Sequence, residues 1–353
     1  MLTVIKPFCN EFHRENRMDL ILSEALATVE TEYLLTAKEL EACDLRGRKI
    51  LFAVCLSEAG INMEYYRILE YFRRAPGCLT GCSGAVIVDG SGELFTKSLA
   101  RRLVFSANAA GCAFISRPLV EATGSLYNFK VISKVLGTDL LGAYQMLTER
   151  LIKRLCDFEM LKIRHPNVLA IHASSRKTSN SLMLWEKVKS YLDESIKVTE
   201  ISLRNGQLLD CRGCKYEECM HFGEKGGCFY GGVMVQEVYP AIREADALVL
   251  LCPNYNDALS ANLTAAINRL TALYRTTSFA DKAVFAIVVS GYSGGDIVAC
   301  QAAGAMNMNK GFWLPANFCL LETANDKGEA LALPGIQDRA DRFAENMLCQ
   351  LAY

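Results

Sequence analysis

Short apolar runs alternate along this chain with longer segments of helical spacing, most regularly after residue 160. In that half the pattern predicts strands at 167–173, 197–203, 246–252, 283–290 and 318–322. Helices are predicted from 181, at 233–244, at 258–275, at 295–308 and at 335–351. Five strands alternating with helices predict a doubly wound parallel sheet. The first half reads less richly. Helical spacing covers 18–45 and 63–73, a turn at 89–94 leads into a helix through about 109, strands are predicted at 49–55, 84–88 and 112–115, and 137–161 reads as a connecting helix. Residues 1–17 show no usable pattern. The expected organisation is a smaller α/β domain over 1–160 with about three strands, then a second domain over 161–353. Segments 86–105 and 249–270 both run from a strand through a polar turn into a helix bearing arginine. That parallel raises a duplication, with the first domain a degenerate relative of the second.

The apolar run of the first strand in the second half stops at a dense polar cluster, Ser174, Ser175, Arg176, Lys177, Thr178, Ser179, Asn180 and Ser181. A strand's carboxyl end followed by a helix N-terminus favours an anion, because free N–H groups and the helix dipole point at it. The cluster lacks the GKS or GKT ending of a P-loop and lacks GxGxxG, so triphosphate hydrolysis and a dinucleotide site are poorly supported. A terminal monophosphate held by hydroxyls and one arginine fits better. Two more loops fall on the same predicted sheet edge. Pro253, Asn254, Tyr255 and Asn256 follow the third strand, and Ser290, Gly291, Tyr292 and Gly295 follow the fourth. Amides and small residues there suit the edge of a flat ring, with Tyr255 and Tyr292 to stack on it.

A second chemical signal is CRGCKYEECMHFGEKGGC, an insert over 211–228 that spaces Cys211, Cys214, Cys219 and Cys228 as C-x2-C-x4-C-x8-C. Four thiols in a short polar stretch suit a [4Fe–4S] cluster or a tetrahedral zinc, with the cluster taken first. The plain alternative is unligated thiols, with a reducible pair at Cys211 and Cys214. Arg269 and Arg275, on the helix after Pro253, read as surface or ion-paired residues, with Arg269 as a contact to a partner subunit the other reading.

The motifs ASSRKTSNS (173–181), CPNYNDALSANLTAAINRL (252–270) and SGYSGGD (290–296) resemble the NAD(P)H-dependent FMN reductase family, and within it most the iron–sulfur flavoproteins. The resemblance covers about 165–350 and implies a flavodoxin-like five-stranded sheet. It implies that Ser174, Arg176, Ser179, Asn180 and Ser181 bind the FMN phosphate. Pro253, Asn254, Tyr255, Asn256, Ser290, Gly291, Tyr292 and Gly295 would face the ring. The family's first loop usually begins Gly-Ser-Pro-Arg, where this chain has Ala173-Ser174-Ser175-Arg176. Its cysteine motif is tighter between the second and third cysteines, a gap widened here by 215–218. The implied activity is oxidoreduction, from a nicotinamide or ferredoxin-type donor through flavin, with or without an iron–sulfur cluster, to a quinone, flavin or other small-molecule acceptor. No side-chain acid or base is needed, because the flavin carries the chemistry. The alternative is a flavodoxin-like electron carrier or flavin-binding regulatory module without turnover. Family likeness also implies a homo-oligomer.

Composition adds boundaries. With 353 residues, 51% of them hydrophobic, the chain has enough apolar material for two cores. A net charge of −1 argues against nucleic acid or an anionic membrane as the main partner. Charges at Lys6, Glu11, Arg14, Glu15 and Arg17 rule against a signal peptide, and no run of ~18 apolar residues predicts a membrane span. Fifteen cysteines, an odd number and mostly inside apolar runs, point to a reducing cytoplasm rather than a disulfide framework.

Overall fold

The computed structural model describes residues 1–9, 16–174, 178–203, 206 and 208–353. The chain divides into two compact units, Met1–Glu159 and Met160–Tyr353. Each is built on a five-stranded, wholly parallel sheet.

The first unit contains β1 (Leu2–Ile5), α1 (Arg17–Ala25), β2 (Thr31–Leu34), α2 (Ala37–Glu41), β3 (Lys49–Leu56), α3 (Met63–Arg74) and β4 (Ser83–Gly90). It continues through α4 (Thr96–Ala109), β5 (Ala113–Ala122), α5 (Lys130–Leu136) and α6 (Leu140–Asp157). The sheet order is β2-β1-β3-β4-β5. Helices cover both faces, so the central strands β3 and β4 are buried almost throughout and read as apolar runs rather than alternating. In β3, Leu51, Ala53 and Cys55 join the core under α1 and α6, while Phe52 stacks with Phe114 and meets Phe72 edge-on.

The expectation of about three strands is therefore corrected to five. β1 was hidden in a stretch of only four apolar-rich residues at the chain start. The expected helix over 18–45 is split by β2, an edge strand with three of four residues partly or fully exposed and thus no apolar signature. The segment expected as a connector is α6, whose Ala143, Tyr144, Leu151, Ile152 and Leu155 are buried in this unit's core.

The second unit contains β6 (Asn167–His172), α7 (Asn180–Lys189), β7 (Lys197–Ser202), α8 (Tyr216–Glu224), α9 (Tyr239–Glu244) and β8 (Ala247–Pro253). After it come α10 (Ala261–Tyr274), β9 (Ala283–Ser290), α11 (Gly295–Ala303), β10 (Cys319–Thr323), α12 (Glu329–Ala332) and α13 (Ile336–Leu351). A π-helical turn, Met234–Val238, leads into α9, and another, Gly304–Lys310, extends α11. The sheet order, β10-β9-β8-β6-β7, is the first unit's order repeated and is flavodoxin-like. The repeat also corrects the internal parallel read from sequence. Segment 86–105 belongs to the fourth strand of its unit, whereas 249–270 belongs to the third, whose true counterpart is β3 and α3.

Among the described residues no helix is long and apolar enough to cross a membrane.

Candidate functional site

Doubly wound sheets bind ligands at the carboxyl ends of their strands, where the strand order reverses. In the second unit that edge holds a cleft of about 650 Å³, within the range of small-ligand sites. Its walls come from the loops after β6, β8, β9 and β10.

The β6 loop lines one end of the cleft. His172 is buried at the strand's last position, and its Nδ1 accepts from the Ser174 N–H at 3.3 Å. Ser174 lines the cleft, and its Oγ is buried without a hydrogen-bond partner among the described residues. Ser179 is the N-cap of α7: its Oγ accepts from Leu182 N at 3.3 Å and lies 2.9 Å from Ser181 Oγ. Asn180 also lines the cleft, but its amide is engaged elsewhere. Nδ2 donates to Asp326 O (2.8 Å) and Ala324 O (3.4 Å), and Oδ1 accepts from Gly328 N and Ala330 N. Its side chain therefore anchors the β10 loop beside the cradle. Arg176, expected to meet the phosphate, lies outside the described residues, as do Ser175 and Lys177.

The other end is organised by Asn254. Its Nδ2 reaches Ser293 O (2.9 Å), Ser290 Oγ (3.1 Å) and Asp257 Oδ1 (3.3 Å), tying the β8 loop to the β9 loop. Its Oδ1 is buried with no partner among the described residues. Asn256 and Asp257 both take left-handed backbone at φ 54°, which these side chains tolerate better than most. Gly294 sits at φ 79°, where a Cβ would stand 1.9 Å from Asp257 Oδ1, so only glycine lets the two loops approach this closely. Tyr255 and Tyr292 are exposed on the cleft walls, at 62% and 82%. Pro253, Asn256 and Gly291 also line it, whereas Ser290 and Gly295 stand behind, Ser290 as an acceptor for Asn254 and Gly295 as the first residue of α11. Sequence reasoning did not include the β10 loop, whose Ala324 and Asn325 join the lining. The signal was present as a polar turn ending in Gly328 after the fifth strand.

The four cysteines form a separate constellation. Cys211, Cys214, Cys219 and Cys228 all line one cavity of about 140 Å³, with Phe222, Phe229, Arg269 and Arg275 among its other walls. Cys219 stands on α8, a helix where a loop was expected; Glu217 and Glu218 in its first turn favour the N-terminal dipole. Among the described residues no three metal-binding side chains converge on a point that would hold a single ion. A zinc ion needs its sulfurs about 2.3 Å from one centre. His221 is exposed on the same helix, 3.0 Å from Lys225 Nζ. Arg275 is exposed over the Tyr216 ring, but Arg269, expected at the surface or in an ion pair, is buried. It follows Ala265 and Ala266 by four and three residues, and so falls on the apolar stripe of α10.

The first unit treats the same sheet edge differently. Arg17, opening α1, donates through Nε to Asp89 Oδ2 at 3.0 Å and also to Thr123 O and Gly124 O after β5. Burial raises the Asp89 carboxyl above its usual value, against the opposing pull of Arg17. Arg17 and Asn180 thus do equivalent work, each binding the first turn after the first strand's loop to carbonyls beyond the fifth strand.

Among known proteins, the described geometry has the following likenesses. No curated protein matches the chain. The chain is similar to the solved structure of RosB with its bound intermediate 8-demethyl-8-formylriboflavin-5'-phosphate, at 16% identity over 53% of this chain and 82% of that one, TM-score 0.42. It is also similar to an NAD(P)H:quinone oxidoreductase from Methanothermobacter marburgensis, at 18% identity over 52% of this chain and 96% of that one, TM-score 0.38. A WrbA-like flavodoxin from Agrobacterium tumefaciens gives 12% identity over 51% and 96%, TM-score 0.33. Residues 166–326, which lie within the second unit, match the family model described as NADPH-dependent FMN reductase.

Proposed function

We propose that the second unit binds FMN in the 650 Å³ cleft and that the protein passes electrons from NAD(P)H to a small acceptor such as a quinone or a free flavin. One observation supports this most: two buried polar atoms without a partner among the described residues, the Ser174 hydroxyl, which can donate, and Asn254 Oδ1, which accepts, belong to residues lining the same cleft, one in the strand-end loop after β6 and the other in the loop after β8. Buried polar atoms without partners are costly, and a phosphate and the polar edge of a flat ring would satisfy both. Bound flavin would supply a two-electron centre that accepts from a nicotinamide and gives to the acceptor. This chain's residues hold and orient it. The Ser174, Ser179 and Ser181 hydroxyls would serve the phosphate together with the first N–H groups of α7, and Arg176, which lies outside the described residues, is the cation that the loop's sequence offers it. Asn180 keeps the β10 loop against the cradle, and Asn254 fixes the spacing of the two ring-facing loops. Tyr255 and Tyr292 offer exposed aromatic faces for the nicotinamide or acceptor, or for a second copy in a homo-oligomer.

Cys211, Cys214, Cys219 and Cys228 are read as ligands of a [4Fe–4S] cluster, which would provide a one-electron route to a ferredoxin-type donor. The shared cavity and the softness of four thiolates support this reading.

The test is oxidation of NADH and NADPH by the purified, FMN-loaded protein with a quinone, a flavin or a dye as acceptor. Turnover that disappears when FMN is removed and returns when it is restored is the expected result. A flavin-loaded protein that oxidises neither nucleotide with any acceptor would contradict the reductase reading and leave an electron carrier.

A further inference from the structure

Arg269 stands between the two ends of the cysteine segment. Its guanidinium donates to Gly231 O at 2.7 Å, three residues after Cys228, and to Leu209 O at 3.5 Å, two residues before Cys211. It is 2% exposed, its Nε has no partner among the described residues, and no carboxylate lies within ion-pair distance among them. The Tyr230 ring, 5.8 Å from Cζ, offers a weak cation–π contact. A guanidinium keeps its charge when buried, and an unpaired buried charge is unfavourable unless a counter-charge is supplied. Arg269 lines the cavity that the four thiols also line. Those thiols become thiolates when they bind a metal, and four thiolates around a cluster give a net negative centre.

We propose that Arg269 is the built-in counter-charge of the cysteine array. It closes the segment through its two carbonyl bonds and places a permanent positive charge beside the anionic metal–thiolate centre. The inference rests on the reading of these cysteines as metal ligands. Adding one electron makes such a centre more negative, so a fixed neighbouring cation favours the reduced form and raises the potential. Arg269 is therefore a positioning and tuning residue, not a ligand.

The experiment uses the full-length protein, wild type and the variants Arg269→Lys, Arg269→Gln and Arg269→Met, each incubated anaerobically with ferrous iron and sulfide. Iron per chain is measured, and the midpoint potential is read by dithionite titration followed by absorbance and electron paramagnetic resonance. FMN content and circular dichroism report folding. The expected result is a potential in Arg269→Lys close to wild type. Arg269→Gln and Arg269→Met should shift it to more negative values, or lose iron while keeping FMN. Wild-type iron content and wild-type potential in both neutral variants overturn the inference, as does an equal shift in Arg269→Lys, which would show shape rather than charge at work. A wild-type protein that takes up no iron overturns the metal reading itself, and the inference with it.

Discussion

Asn254 and Asn180 show how single amides set the geometry of a cleft. Each joins two loops that are distant in sequence, Asn254 across the β8 and β9 ends and Asn180 from α7 to the β10 loop. At about 1 kcal/mol net per hydrogen bond, Asn254→Ala is expected to weaken FMN binding about tenfold by loosening the ring end, as read by quenching of flavin fluorescence on titration. Arg176→Ala removes the only arginine of the opening cluster, and is expected to weaken FMN binding by roughly 10- to 100-fold without lowering the unfolding temperature. A variant that binds FMN as tightly as wild type would remove Arg176 from the phosphate site. The residue scale was the most legible part of the sequence. Clustered hydroxyls, amides and glycines just beyond an apolar run announce a strand-end loop through local chemistry alone. The engagement of Asn180 with Asp326 was not legible, because that contact joins residues 146 apart.

At the scale of elements, central strands declared themselves and edge strands did not. β3, β8 and β9 are buried almost throughout, so each reads as a continuous apolar run. β2 meets solvent along most of its length, and so its composition carried no sheet signal. The ion pair between Arg17 and Asp89 is the first unit's counterpart of an anchoring amide, and sequence spacing could not reveal it across 72 residues. Asp89→Ala leaves that guanidinium without its carboxylate. With the Arg17 side chain still 27% exposed, the expected loss is roughly 2–3 kcal/mol in urea unfolding of the first unit, with FMN binding unchanged. A simultaneous loss of FMN affinity would contradict the assignment of the cofactor to the second unit.

For the whole molecule, the two units share a strand order but differ in the chemistry at their strand ends. The segment after β1, residues 6–16, contains no serine, threonine or glycine and carries Glu11 and Glu15, so it offers a phosphate little. The chain is accordingly expected to hold one flavin, not two. Both units also bury thiols at the end of their third strands, Cys55 and Cys252, each pushed up to about 12 chiefly by burial. Unfolding returns these thiols to the ordinary value of 9.0. The unfolded chain then releases protons that the folded chain retains. This contribution to stability is therefore complete below pH about 9 and is lost as pH rises from there towards 12. Urea midpoints measured from pH 7 upward should fall across that window, and should fall less in a Cys55→Ala, Cys252→Ala double variant.

The most direct measurement is the flavin content of the intact protein, purified and then incubated with excess FMN before the unbound fraction is removed. The account predicts one FMN per chain, lost or strongly reduced in Arg176→Ala. A colourless protein that takes up no FMN, or one that holds two per chain, would contradict it.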